Sequence, residues 1–276
     1  MKHTSLTRLC ELSGVTRQAY YKKRHRRKHE AIDEGLIVTS VQEMRYQQPR
    51  MGTRKLHHEL EAFFTERGIS IGRDRLFDLL GRRKLLIQPK KRWVATTNSR
   101  HNLPMYRNLI KEKEPTAPHQ ILVSDITYIR AGESWLYLSL IMDRYSRKIV
   151  GWNLGDSLDA KESLKALHMA IDQVPKGQWP IHHSDRGSQY CCHAYTKALT
   201  DKGWSVSMTE ENHCAENCFA ERVNGIIKGE YNLDLGFKNR EQARKATIHA
   251  INMYNNFRPH NSLNKQKPSH VHQQAA

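Results

Sequence analysis

Three acidic residues lie in sequence contexts where a carboxylate could do chemistry. Asp125 interrupts the apolar run ILVSDITYI, Asp185 follows the short segment PIHHS, and Glu221 lies in a segment with helical periodicity. A carboxylate without a partner is costly to bury in an apolar strand. A pair of Mg²⁺ ions that clamps the attacking and leaving oxygens of a phosphodiester needs several such hard oxygen ligands. Taken singly, the acids also fit structural roles, namely a hydrogen-bonded strand residue, a helix cap or Asx turn, and an exposed helix face.

The segment around Glu221 predicts a helix from Asn217 to Gly229. Its apolar residues recur at helical spacing and would face a core: Phe219, Val223, Ile226 and Ile227. Its polar residues form a second stripe with spacings of four, three and four: Asn217, Glu221, Asn224 and Lys228. Residues three and four apart share a helix face. Because thirty-five residues separate Asp185 from Glu221 and Lys228 follows two turns later, the three acids and the lysine are more informative as a set than singly.

The elements that must position these acids begin at Gln120. Three β-rich runs separated by turn signals predict an antiparallel meander: ILVSDITYI, SWLYLSLIMD and RKIVGWNLG. A helix over 159–172, a strand at PIHHS, a helix over 189–201, a strand at WSVSM and helices after Asn217 and Arg240 follow. Strands followed by alternating strands and helices predict an α/β fold, with a mixed five-stranded sheet and flanking helices, as in ribonuclease H-like nucleases. Asp143 is predicted to shape a turn of this sheet, with metal binding as the alternative.

The first part of the chain predicts an all-α region of two tandem helix-turn-helix units over residues 1–88. Two short helices within residues 5–28 flank Gly14, and a second pair follows in TRKLHHELEAFFTERG and ISIGRDRLFDLLGRRKL. Arg17, Lys22 and Lys23 are candidate DNA-binding residues, although the basic run KKRHRRKHE also fits a solvated helix face. A basic linker is predicted over 89–118, and the catalytic core with its C-terminal helix over 119–276.

The charge balance indicates a polyanionic partner. Lys and Arg total 45 against 28 Asp and Glu, a net charge of +17, which is typical of proteins that bind nucleic acid. No apolar run approaches the length of a membrane span, and the start MKHTSLTRLC has no signal-peptide core, so a cytoplasmic, nucleoid-associated protein is expected. The five cysteines match no zinc-site spacing, but a zinc site with nearby histidines stays an alternative to buried thiols. No Gly-rich phosphate loop is present, so no nucleotide cofactor is expected.

Four motifs occur in a characteristic order: SDITYI, HSDRGSQY, AENCFAERVNGIIKGEY and YNNFRPHNSLNKQKPS. Together they resemble the catalytic subunit of IS-three family insertion-sequence transposases, which belong to the retroviral integrase superfamily. The resemblance covers essentially the whole chain, including the helical region before the linker. It implies a prokaryotic DDE transposase that cleaves DNA at insertion-sequence ends and joins the 3′-hydroxyl to target DNA.

The resemblance also implies roles for particular residues and partners. Asp125, Asp185 and Glu221 would be the catalytic residues and would ligate two Mg²⁺ ions, with Mn²⁺ as a substitute. Lys228 would contact DNA phosphate, and Asn217 and Asn224 would line the same groove. The expected partners are the terminal inverted repeats, target DNA, other copies of the chain on DNA, and the product of an upstream reading frame, joined as a fusion. Alone, the chain is expected to bind DNA with little sequence preference.

Two other functions fit parts of the sequence. A non-catalytic helix-turn-helix regulator would explain the amino-terminal helices and the basic charge, but it leaves the downstream acids without a role. A ribonuclease H-like nuclease that cuts without joining would use the same three ligands. The acids alone therefore leave joining open, and only the match along the full chain favours a transposase.

Overall fold

The computed structural model describes residues 5–88, 103–210 and 216–275. The chain divides into two compact units, one of residues 1–47 and 51–88 and the other of residues 48–50 and 89–276. No helix within the described ranges is long and apolar enough to cross a membrane.

The first unit is entirely helical in its described part. Its helices are α1 (Leu6–Leu12), α2 (Arg17–Gln47), α3 (Thr53–Glu59), α4 (Glu61–Glu66) and α5 (Arg73–Arg82). The hydroxyl groups of Ser5 and Thr16 accept hydrogen bonds from the backbone N–H of Arg8 and Ala19, as helix caps do. Between these helices Gly14 has a φ of 63°, a conformation that glycine adopts without steric cost.

Helix α2 is longer than the sequence predicts. The second short helix was expected to end with the basic run near residue 28, but α2 extends over 31 residues to Gln47. The residues after the basic run include Gly35 and several β-branched residues, which are not strong helix formers, but Ile37 and Val41, one turn apart, are buried in the core of this unit. Packing of this later part therefore continues the helix until the segment before Pro49. The predicted pair of short helices over 5–28 is wrong in this respect.

The second unit is built on a mixed five-stranded sheet, which confirms the predicted fold class. Its strands are β1 (Ile121–Ala131), β2 (Ser134–Asp143), β3 (Ile149–Gly155), β4 (Ile181–Ser184) and β5 (Ser205–Met208). The strand order is β3-β2-β1-β4-β5. The first three strands are antiparallel, as the predicted meander requires, and β4 and β5 run parallel to β1.

Helices cover both faces of this sheet. They are α6 (Ala160–Gln173), α7 (Ser188–Cys191), α8 (His193–Thr200), α9 (Cys218–Glu230), α10 (Arg240–Asn256) and α11 (Pro268–Gln274). Side chains of α9 and α10 pack on one face of the sheet together with Val123, Ile129 and Leu138. Side chains of α6, α7 and α8 pack on the other face with Leu122 and Ile141. Alternate residues of β1 therefore point into two separate cores.

The segment 103–118 has no helix or strand but packs on the second unit. Ile110 is 6% exposed and belongs to one of the sheet's cores, and the backbone N–H of Leu109 donates to Ser207 Oγ at 2.9 Å. This part of the predicted linker is thus attached to the catalytic core. The preceding residues 89–102 lie outside the described ranges.

Substitution of Gly151 by alanine should destabilise the second unit. Helix α6 crosses β3 so closely that a Cβ at Gly151 would lie 2.2 Å from the carbonyl oxygen of Ala166. We expect Gly151→Ala to lower the free energy of unfolding by about 3 kcal/mol, because the backbone of α6 must shift. The matched control is Gly225→Ala in α9, where nothing lies within 4 Å of the new Cβ and helix propensity favours alanine by about 1 kcal/mol. Urea unfolding measures both, and a Gly151→Ala protein as stable as the wild type would refute this packing.

Candidate active site

The sheet register brings Asp125 and Asp185 side by side. Strands β1 and β4 are parallel neighbours, and Val123 pairs with His183. Each acid comes two residues after this pair, so both lie at the same level beyond the end of β4. Carboxyl ends of parallel strands commonly carry functional groups.

Helix α9 adds the third acid. Glu221 lies in its first turn and is exposed, while Val223 and Ile227 bury the helix against the sheet. The Asn217 side-chain amide donates to the backbone carbonyl of Ser124 at 3.2 Å. The first turn of α9 is therefore fixed to β1 directly beside Asp125.

Both oxygens of the Asp125 carboxylate accept hydrogen bonds. Asn224 Nδ2 donates to Oδ2 and the backbone N–H of Ile126 donates to Oδ1, each at 2.8 Å. Asn224 lies one turn after Glu221 on the same helix face. These bonds fix the orientation of the carboxylate, and they were not predicted from the sequence, which places Asn224 in a DNA groove.

Asp185 is held by a tight loop. The backbone N–H of Gly187 donates to Asp185 Oδ1 at 3.0 Å. A Cβ at Gly187 would lie 3.0 Å from that oxygen and 2.7 Å from Gln189 Oε1. Glycine at position 187 therefore allows the loop to approach the acid closely. Asp185 both forms an Asx-like turn and lies at the carboxyl end of β4.

Burial and two neighbouring acids disfavour the ionised form of Asp125. Burial, and then the negative charge of Asp185, raise the pKa of Asp125 from 3.8 to about 7, against the hydrogen bonds from Asn224 and Ile126. The charge of Glu221 adds to the rise. A nearby cation would lower the raised pKa of such a buried carboxyl group, because it would stabilise the ionised form.

The donor atoms fit a hard divalent cation. Besides the carboxylates, the side-chain oxygens of Asn217 and Asn224 are buried without a hydrogen-bond partner in the described structure. Mg²⁺ prefers such oxygen ligands. Among the described residues, no three histidine, cysteine or acidic side chains already converge as a complete ligand set. The three acids are therefore close enough to interact electrostatically, but their side chains are not already arranged as a complete set of metal ligands.

The other predicted binding residues lie in different environments. Asn217 and Asn224 are 2% and 5% exposed, and Asn224 contacts the acid cluster through Asp125; their contact with DNA stays a prediction. Burial lowers the pKa of the half-buried Lys228, although Asp234 opposes this. The basic side chains of α2 that were predicted to bind DNA are exposed in the first unit: Arg17, Lys22 and Lys23.

The Asp143 carboxylate is hydrogen-bonded at the turn between β2 and β3. Its carboxylate accepts hydrogen bonds from the backbone N–H of His119 and from both the N–H and the hydroxyl of Ser146, each at 2.7 Å. The residue is 0% exposed. The predicted role in shaping the β2–β3 turn is confirmed, and these bonds occupy the oxygens that a metal would need.

Two of the histidines near the cysteines that were considered for zinc are buried and paired, and a third, His193, is exposed. His182 Nε2 lies 3.1 Å from the hydroxyl of Tyr195, and His183 Nδ1 lies 2.9 Å from Ser207 Oγ. Burial, with a contribution from His183, lowers the pKa of His182 to about 3, so its imidazole is neutral. His213 and Cys214 lie outside the described residues.

Comparison with known proteins places this arrangement in a family. Two models, each described as "Integrase core domain", match residues 115–214 and 202–268. The chain is 36% identical to the "Insertion element IS600 uncharacterized 31 kDa protein" of Shigella sonnei, over 97% of this chain and 100% of that protein. It is 30% identical to "Transposase InsF for insertion sequence IS3A" of Escherichia coli (strain K12), over 76% of this chain and 73% of that protein.

The chain belongs to the IS3 family of transposases. This confirms the predicted family and enzyme class, and DNA is the partner that membership of such a family implies. A solved structure, the HTLV-2 integrase catalytic core domain in complex with magnesium, also matches this IS3-family chain. The identity is 19%, the match covers 58% of this chain and 99% of the other, and the TM-score is 0.47.

Replacement of Asp125 by asparagine should stabilise the metal-free transposase at alkaline pH. The folded pKa of about 7 is above the ordinary value of 3.8, so the stability present below pH 4 is lost as the pH rises through 7. The loss reaches about 4 kcal/mol at roughly 1.4 kcal/mol per pKa unit. Urea unfolding in EDTA should show Asp125→Asn to be more stable than the wild type at pH 8, with little difference at pH 4.

The control for this comparison is Asp201→Asn, which removes an exposed acid paired with Lys197 at the end of α8. It should show no gain at pH 8. A metal-free Asp125→Asn protein that is less stable than the wild type at pH 8 would contradict the raised pKa.

Proposed function

We propose that this transposase cleaves DNA at the ends of an insertion sequence and joins the freed 3′-hydroxyl to target DNA at the acid cluster. Asp125, Asp185 and Glu221 are the proposed ligands of two Mg²⁺ ions, for which Mn²⁺ can substitute. The observation that carries the proposal is the buried Asp125, whose charge is opposed by two further acids delivered by separate elements. Strongly perturbed pKa values of this kind cluster at functional sites.

The residues of the chain would position the reaction rather than form bonds with DNA. The chemistry that a pair of Mg²⁺ ions supplies when bound is activation of water or a 3′-hydroxyl and stabilisation of charge on the phosphate. Asn224 keeps the Asp125 carboxylate in one orientation, and Gly187 does so for Asp185. Asn217 anchors the helix that carries Glu221. A preoriented set of ligands supports accurate placement of the reacting groups.

Basic residues would hold the DNA. Lys228 lies two turns after Glu221 on α9 and is proposed to contact a phosphate beside the acids. Its partial burial, which lowers its pKa, would be offset by that anionic contact. The exposed Arg17, Lys22 and Lys23 of α2 are proposed to contact the DNA backbone, where such residues supply affinity and position rather than sequence preference.

The reaction also requires partners beyond one chain. Two element ends must be brought together, so at least two copies of the transposase are proposed to act on DNA. We also propose a fusion with the product of an upstream reading frame, which would supply dimerisation and additional base contacts. Specific recognition of terminal repeats normally needs more base contacts than one small module provides.

Conservative substitution of each acid should abolish catalysis but leave DNA binding. We expect Asp125→Asn, Asp185→Asn and Glu221→Gln each to reduce Mg²⁺-dependent joining of pre-cleaved ends at least about hundredfold, because each removes a ligand needed to stabilise the transition state. DNA affinity should change by no more than a few fold, since the basic surface is unchanged. A strand-transfer assay and a filter-binding assay measure the two properties.

Matched controls are Asp201→Asn and Glu241→Gln, which remove exposed acids paired with lysines on α8 and α10. Both should join ends at the wild-type rate. Substantial joining by any one of the three site variants would remove that acid from the proposed site. Cleavage without joining by the wild-type chain would favour a nuclease instead.

A further inference from the structure

The hairpin of β1 and β2 carries an aromatic surface beyond the acid cluster. Tyr128 pairs with Tyr137, and Arg130 pairs with Trp135. Directly opposed residues of an antiparallel pair share a face, and so do residues two apart on a strand. The four side chains therefore lie on one face of the hairpin. We name Tyr128, Arg130, Trp135 and Tyr137 the aromatic face.

This face lies beyond the part of the sheet that α6 covers. On the same side of β1 and β2, Ile126 packs in the core beneath the helices, and Ser139 contacts Ser163 of α6. In the described parts of the second unit, neither core of the sheet includes the three rings of the aromatic face. Trp135 is 52% exposed. The rings thus contribute little to the core.

The rings are arranged edge to face. The Tyr128 ring centroid is 5.3 Å from that of Tyr137 at an interplanar angle of 68°, and 6.4 Å from that of Trp135 at 90°. This geometry is favourable for aromatic pairs, and it holds Trp135 against Tyr128 while much of the indole stays exposed. Arg130 is exposed in the same cross-strand row as Trp135. The Arg130 Nε donates to the carbonyl oxygen of Gly132 at 3.2 Å. An exposed aromatic ring and a guanidinium group on one face are suited to stacking and charge contacts with a nucleotide.

The aromatic face is close to the proposed catalytic acids. Tyr128 follows Asp125 by three residues on β1, about 10 Å along an extended strand, so the two side chains project from opposite faces of β1. The pairing of β4 with β1 covers Ile121 to Val123 and ends before Asp125, so β4 leaves the edge of β1 between the two residues uncovered. Burial first, and then Tyr137, Asp125 and Asp185, raise the pKa of the Tyr128 hydroxyl. The acids are thus near enough to influence the Tyr128 hydroxyl.

We propose that the aromatic face binds unpaired nucleobases of the DNA strand that lies in the acid cluster. The inference rests on the proposed function, because it uses the acids to place the strand. Bases in an intact duplex present their edges, whereas unpaired bases expose faces that stack on aromatic rings. Stacking would offset the cost of separating base pairs next to the reacting phosphate. Arg130 and the two tyrosine hydroxyl groups favour a nucleotide over an aliphatic protein surface.

The test compares two duplexes of equal length and composition, one fully paired and one with three mismatched pairs at an end. Binding is measured in EDTA, so that no cleavage is required. The wild-type chain should bind the mismatched end more tightly, and Trp135→Ala should weaken that binding about 5- to 150-fold, the usual range for loss of a base-stacking ring. Binding to the paired duplex should change little, and Trp135→Phe should keep most of the preference.

The matched control is Trp179→Ala, which removes a 68% exposed tryptophan before β4 and should preserve the preference. Equal binding of both duplexes by the wild type, or equal losses in Trp135→Ala and Trp179→Ala, would overturn the proposal. Self-association of the DNA-free chain that disappears in Trp135→Ala would assign the face to a second copy and would also overturn it. Binding of the mismatched end needs no metal, so it can be observed even if the protein does not join DNA ends. The proposal for the aromatic face and the proposed function are therefore tested separately.

Discussion

The burial of Asp125 beside two other acids is the constraint on which the rest of the second unit depends. Asp125 is buried in a strand, and both burial and the neighbouring acids oppose its ionisation. The fold tolerates this cost because Asn224 and the backbone of Ile126 hydrogen-bond to both carboxylate oxygens. The same arrangement makes the site receptive to a divalent cation. Stability and function therefore oppose one another at Asp125, as is common where pKa values are strongly perturbed.

The surrounding strands and helices position the three acids. The parallel pairing of β1 with β4 sets Asp125 beside Asp185, and the packing of α9 on β1 delivers Glu221 together with the asparagine that holds Asp125. On the far side of the sheet, the close approach of α6 to Gly151 leaves no room for a side chain at that position. The cluster is thus assembled by long-range packing of rigid elements rather than by a continuous loop.

Periodicity and motif order predicted most of this arrangement, but contacts that depend on tertiary packing could not be predicted. The alternation around Asp125 and the stripe containing Glu221 identified a strand and a helix correctly. From the same polar stripe we predicted that Asn224 lines a DNA groove. Its hydrogen bond to Asp125 was not predicted, because spacing alone does not show which polar residues become buried. The length of α2 was underestimated because Ile37 and Val41 extend it through packing. The aromatic face was not recognised, since its rings come together only through cross-strand register.

The central claim is that the three acids bind divalent cations together, although they are not preassembled as a ligand set in the described residues. Anomalous diffraction from crystals of the transposase soaked in Mn²⁺ tests it most directly. The account predicts anomalous density between the carboxylates of Asp125, Asp185 and Glu221, with these side chains drawn towards it, and its loss in Asp185→Asn crystals. Saturating Mn²⁺ that binds elsewhere, with none between the three carboxylates, would contradict the account.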